Sequence, residues 1–181
     1  MTDPQQQPGT APAGETLLLI EVPEAEPLVG EWRRRYDPAA PTGVPAHITV
    51  ISPFLDADQL GPETMAELRA LIGGHGAFDL AFRSCGRFPS VLYLAPEPAE
   101  PIRVLTEAVA ARWPERPPYG GQFDELTPHL TVSYAPDPQV QAETEADLLR
   151  GLPLTARVTQ VNLLVSDGQN WNEWETFALR G

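Results

Sequence analysis

Residues 47–54 read HITVISPF and residues 129–134 read HLTVSY. Each opens with histidine, an aliphatic residue, threonine and valine, and neither contains a glycine or an acidic residue. β-branched and aliphatic residues in alternation with polar ones predict a strand. Successive side chains on a strand point to opposite faces. His47 and Thr49 therefore share one face, with Ile48 and Val50 on the other. In the second stretch His129, Thr131 and Ser133 share a face opposite Leu130 and Val132. The aliphatic face has to be buried, so the polar face lines a cleft or meets water.

Outward from these strands the chain repeats itself. Residues 18–28 read LLIEVPEAEPL and residues 92–102 read LYLAPEPAEPI, so that at an offset of 74 Leu18 meets Leu92, Glu26 meets Glu100 and Pro27 meets Pro101. Each copy is a strand followed by a helix that opens at a proline, where the missing N–H costs nothing. A His-x-Thr strand follows, then another helix and another strand. The histidines are offset by 82 rather than 74, because the second copy carries extra residues in the loop before His129. Strands are expected at Thr16–Val22, Ala46–Ser52, Phe78–Ser84, Val91–Ala95, His129–Tyr134, Thr155–Ser166 and Glu175–Arg180. Helices are expected at Glu26–Tyr36, Pro62–Ile72, Glu100–Trp113 and Gln139–Arg150. Leu28, Val29, Trp32 and Tyr36 mark one helix face, and Ile102, Leu105, Val109 and Trp113 another. The reading is an α+β domain of two β-α-β-α-β units over residues 15–181. It is bilobal, pseudo-twofold and mainly antiparallel, with a central cleft. Residues 1–14, rich in Pro and Gln, read as a disordered tail.

The chain has 181 residues, 42% of them hydrophobic, which is enough for a real core. No run approaches the ~20 apolar residues of a membrane span, and no leader segment is expected. The single cysteine, Cys85, fits a reducing cytoplasm and reads as a small buried apolar group. The formal net charge is −13, and all 12 basic residues are arginines. That balance argues against tight binding of long nucleic acid, which needs a basic surface. A small phosphate ester in a local pocket remains compatible, because arginine's planar fork suits it. A monomer is expected.

Three histidines are present, at 47, 75 and 129, and two of them fall in the same context. Two imidazoles facing each other across a phosphate form a general acid–base pair, and an unperturbed pKa near 6.5 suits both jobs. Threonine hydroxyls two residues on can donate to non-bridging oxygens as charge builds. Zinc would call for His-x-His or for carboxylates beside the histidines. Neither motif offers them, so no metal and no cofactor is expected.

The sequence resembles the 2H phosphoesterase superfamily, in particular the bacterial 2′-5′ RNA ligase and cyclic phosphodiesterase branch. The resemblance is carried by residues 47–54 and 129–134, by FPSVLYLAP at 88–96 and by YGGQFDELTPHLTV at 119–132. It covers nearly all of the chain after the tail. It implies a bilobal fold and metal-independent hydrolysis of cyclic or linear phosphodiesters of nucleotides or RNA ends. It implies catalytic roles for His47 and His129 and phosphate binding by Thr49 and Thr131. The near-symmetry of the halves leaves acid and base unassigned by the residues themselves. The resemblance implies His47 as the acid and His129 as the base. The acidic composition points to a small nucleotide or a short RNA end as partner. A nucleotide-binding module of the same fold with little turnover is the alternative.

Four further residues are candidates for lining the substrate: Ser133 by its strand face, Phe54 as a stacking group, and Tyr119 and Phe123 in the loop before His129. For Phe54 and for Tyr134, core packing is the favoured reading. Arg87 could reach a phosphate, with solvated surface as the simpler role. Arg33, Arg34 and Arg35 close a helix, where positive charge suits the macrodipole without any function. His75 reads as a loop residue, and Trp171 and Trp174 as packing groups flanking the last strand.

Overall fold

The computed structural model describes residues 10–121 and 125–181. Among these residues, four α-helices alternate with eight strands. In chain order they are β1 (Thr16–Glu21), α1 (Glu26–Tyr36), β2 (His47–Ile51), α2 (Pro62–Gly73), β3 (Phe78–Phe88), β4 (Val91–Glu97), α3 (Glu100–Arg112), β5 (Leu130–Ser133), α4 (Pro138–Gly151), β6 (Leu154–Val158), β7 (Gln160–Ser166) and β8 (Trp171–Ala178). Proline stands at the first turn of every one of the four helices, where it is tolerated because that N–H has no intrahelical partner.

The strands form two antiparallel sheets in the orders β2-β1-β7-β8 and β5-β4-β3-β6. The two orders match under the repeat: β1 corresponds to β4 and β2 to β5. The third strand of the first unit, β3, leaves its own sheet and pairs with β4. The chain returns to the first sheet through β7 and β8. Each lobe is therefore closed by strands from the other half of the sequence. Helices cross as well: α1 and α4 pack with strands of the second sheet, α2 and α3 with strands of the first. Trp32 Nε1 donates to Asp147 at 2.7 Å between α1 and α4. Arg112 and Glu67 form the corresponding ion pair between α3 and α2.

A main core of Leu, Ile, Val and Phe runs through both lobes. A smaller cluster of Leu17, Leu19, Ala39, Val44, Leu164, Trp171 and Ala11 covers the opposite face of the first sheet. This explains the unbroken apolar run of β1, which is buried on both faces. Two expectations change here. The segment Thr155–Ser166, expected as one strand, is two: β6 pairs with β3 in one sheet and β7 with β1 and β8 in the other. No Gly or Pro marks the break at Thr159; the available strand edges on either side decide it. Of the expected tail, Ala11 is buried, its carbonyl accepts from Ser166 Oγ at 2.8 Å, and Gly14 N–H donates to the Ser166 carbonyl at 2.9 Å. Trp171 and Trp174 stand inside β8 rather than beside it, the first buried and the second exposed.

Candidate active site

Both His-x-Thr motifs lie on edge strands, and these two strands, β2 and β5, are in contact across the lobes. His47 starts β2, and His129 immediately precedes β5. Each strand carries a bulge at the same place. Thr49 pairs with Leu19 and Ile51 with Leu18, which leaves Val50 as the extra residue. Thr131 pairs with Tyr93 and Ser133 with Leu92, which leaves Val132 extra. A bulge breaks the alternation of side chains. Residues before it keep the polar face, whereas the residue after it turns inward. Ile51 thus joins the core, and Ser133 is fully buried with its Oγ accepting from Ala135 N–H at 3.1 Å. Ser133 does not line the cleft, contrary to its strand parity.

The segments leading into the two histidines are held alike. His47 Nδ1 lies 2.8 Å from the carbonyl of Pro45, and His129 Nδ1 lies 2.8 Å from the carbonyl of Thr127. A carbonyl only accepts, so Nδ1 carries the proton in both rings and Nε2 is the basic nitrogen of the neutral form. The carbonyl three residues ahead of each histidine accepts from an arginine on a helix. Arg33 of α1 reaches Val44 at 3.1 Å, and Arg103 of α3 reaches Leu126 at 3.1 Å. Each arginine has a glutamate at the start of its own helix, Glu26 at 3.8 Å and Glu100 at 3.1 Å.

The surroundings then diverge. Arg33 is 2% exposed and binds Asp37 through Nε at 2.9 Å; Asp37 is itself buried and accepts from Ala39 N–H. Burial, first, and then the Arg33 charge and His129 push the His47 pKa from 6.5 down to about 3, against the pull of the Pro45 carbonyl. His129 is half-buried and ringed by aromatics. Phe88 meets it edge-on at 5.1 Å, Tyr93 is tilted at 5.5 Å and Tyr119 is stacked at 6.3 Å. Burial lowers its pKa too, opposed by the Thr127 carbonyl. Gly86 makes the enclosure possible: a Cβ there would fall 2.3 Å from the Tyr93 ring. Tyr119 takes a positive φ of 50°, and burial raises its phenol to about 12.

Among the expected site residues, His47, Thr49, His129, Thr131 and Tyr119 come together around the junction of the lobes. A small recess of about 10 Å3 is lined by Thr49, Arg103, Tyr119, Thr127 and Pro128, beside but not including the two histidines. Phe54 does not join them: it is fully buried and meets Trp113 edge-on at 5.3 Å. Phe123 lies outside the described residues. Arg87 pairs with Glu145 at the surface. Cys85 is half-buried, and burial, then Glu145, pushes its thiol up to about 11. His75 is half-buried in the turn after α2. A wider groove of about 600 Å3 lies on β3 and β6, away from both His-x-Thr strands, and its Arg83 and Arg157 are paired with Glu97 and Asp79. Among the described residues, no helix is long and apolar enough to cross a membrane, and no cluster of three or more His, Cys, Asp or Glu is placed to hold a metal.

Sequence reasoning missed Arg33, Arg103, Phe88, Tyr93 and Gly86. Arg33 was expected only as one of three arginines that close a helix and is instead buried. The signal for it was its spacing: it stands four residues after Val29 on the apolar face and four before Asp37.

A bulged pair of His-x-Thr edge strands facing each other between two pseudo-symmetric lobes defines a two-histidine site. Residues 21–170 match the model of the 2′-5′ RNA ligase superfamily, and the chain belongs to that family. The 2H phosphoesterase kinship expected from the motifs is thus borne out. The fold is also that of E. coli LigT. Its NADP+ complex matches with a TM-score of 0.58 at 19% identity over 94% of this chain and 100% of that one. The LigT complex with 3′-AMP matches with 0.58 at 18% identity, over 93% and 99%. TT0787 of Thermus thermophilus matches with 0.59 at 20% identity, over 92% and 98%. No curated protein matches the chain in sequence.

Proposed function

We propose that the protein hydrolyses a cyclic, 2′,3′-type phosphodiester of a nucleotide or short RNA end, without metal, using His47 and His129 as an acid–base pair. One imidazole Nε2 takes a proton from the attacking water as its oxygen bonds to phosphorus. The other gives a proton to the ribose oxygen as its P–O bond breaks. Thr49 and Thr131 donate to the non-bridging oxygens, where negative charge grows. The observation that carries the reading is the duplicated arrangement itself. Two His-x-Thr edge strands in contact have both Nδ1 atoms committed to backbone carbonyls, which leaves both Nε2 atoms for chemistry. E. coli LigT has been solved with ATP, 3′-AMP and phosphate. Those complexes favour a small nucleotide as the ligand here, as does the charge of −13.

The test is turnover of a panel of nucleoside 2′,3′-cyclic phosphates in EDTA by wild type, His47→Ala and His129→Ala. Each variant should lose about 100- to 10,000-fold in rate. An inert wild type that still binds the nucleotides would replace the enzyme by a nucleotide-binding module of the same fold.

A further inference from the structure

Arg33 and Arg103 occupy equivalent places in a device that the two lobes share. Each sits on the helix that follows the first strand of its unit. Each donates to the carbonyl three residues before a histidine. In the first lobe the grip is complete. Arg33 holds the Val44 carbonyl, Glu26 Oε1 accepts from Ala46 N–H at 2.6 Å, the Ala46 carbonyl accepts from Val22 N–H at 2.8 Å, and the Pro45 carbonyl takes the His47 ring. The polar backbone groups of Val44–Ala46 named here are all tied down, so the ring enters β2 in one orientation. The second lobe has a looser version, with Arg103 half-exposed between Glu100 and the Leu126 carbonyl.

We propose that Arg33 and Arg103 are paired positioning residues, each bracing the backbone that aims one histidine. The proposal rests on the acid–base reading above. The charges around His47 come from every side. Arg33, Glu26 and Asp37 lie on or just after α1, Glu21 stands opposite it on β1, and His129 approaches from the second lobe. Removing Arg33 leaves Asp37 and Glu26 without their counter-charge. Every change in that set then favours the imidazolium, so the sign of the expected shift is fixed. Arg103 is half-exposed and its partner Glu100 is exposed, so its removal should disturb aim without moving a titration.

The experiment is histidine NMR titration together with the pH dependence of kcat/KM. It uses the full chain as wild type, Arg33→Met, Arg33→Lys and Arg103→Met. Because Arg33→Met leaves Asp37 buried without its partner, the double variant Arg33→Met/Asp37→Asn is measured beside it. In Arg33→Met the His47 midpoint should rise by about one unit or more, and the limb of the profile set by His47 should move with it. Its kcat should fall about 10- to 100-fold, the scale of a misaimed catalytic group, with KM held within about threefold. Arg33→Lys keeps the charge but not the fork, so its limb should stay near wild type while kcat falls. Arg103→Met should lower kcat and leave the His47 midpoint in place. A folded Arg33→Met with an unmoved His47 midpoint, or a folded double variant with wild-type kcat, overturns the proposal. Failure of the wild type to turn over any cyclic phosphate would instead sink the catalytic reading. The NMR titration would still decide whether Arg33 governs His47.

Discussion

The two lobes carry one motif in two settings. Motif, bulge, ring-to-carbonyl bond and arginine brace recur at His47 and His129. Yet His47 sits in a dry, charged clamp built by α1, whereas His129 sits half-buried among Phe88, Tyr93 and Tyr119. Duplication therefore supplied two copies of the same aim, and the neighbours separated their proton chemistry. Burial, first, and then the charge of Arg33 hold one imidazole neutral. Burial among aromatic walls lowers the pKa of the other without a neighbouring arginine charge.

The comparison breaks most visibly if only one lobe handles the phosphate. Thr49→Val and Thr131→Val should each lower kcat about 100-fold or more, the cost of removing one preorganised donor. Single-turnover rates of the two variants check this. A large loss at one threonine and none at the other would mean that the lobes do not flank a common phosphate.

Stability against pH sharpens the electrostatic half. The folded-state pKa of His47, about 3, lies below its unfolded value of 6.5. The neutral ring's contribution is complete above 6.5 and is lost as pH falls towards 3, because the unfolded state takes up the proton first. Relative to His47→Gln, the wild type should lose up to about 1.4 kcal/mol per pH unit within that window. Urea midpoints at about pH 7 and pH 4.5, on either side of the unfolded midpoint, measure it. The difference between the two proteins cancels the carboxylates they share. Parallel curves for wild type and variant would remove the buried neutral histidine from the account. His129, half-buried, should show a smaller slope in the same comparison.

The aromatic half is tested by Gly86→Ala. The new Cβ occupies the space of the Tyr93 ring, so the ring must move from His129. Overpacking of this kind costs about 1–3 kcal/mol. Activity should fall about tenfold through a loss of alignment smaller than an ångström. Calorimetry and kcat/KM report the two effects separately. An unchanged kcat/KM would show that the ring around His129 only fills space.

Most of the fold was legible because its signals are local. Proline at each helix start, the apolar spacing of α1 and α3, and the repeat at an offset of 74 specified the elements and their order. The functional strands were legible because two of three histidines shared a context. What failed depended on partners. The alternation that put Ser133 in the cleft was broken by a bulge at Val132, which only the pairing with β4 reveals. Phe54 packs in the core, its favoured reading, but that it does so against Trp113 just after α3 depends on residues far along the chain.

The sequence by itself determined the elements, the two-unit architecture and the pair of His-x-Thr strands, because propensity, period and motif act over a few residues. Only the tertiary structure decided that β3 changes lobes and that residues 155–166 divide between two sheets. It alone brought Arg33 to one histidine and three aromatic rings to the other. These outcomes depend on which surfaces meet, and burial and electrostatics take their values from contacts between residues distant in the chain.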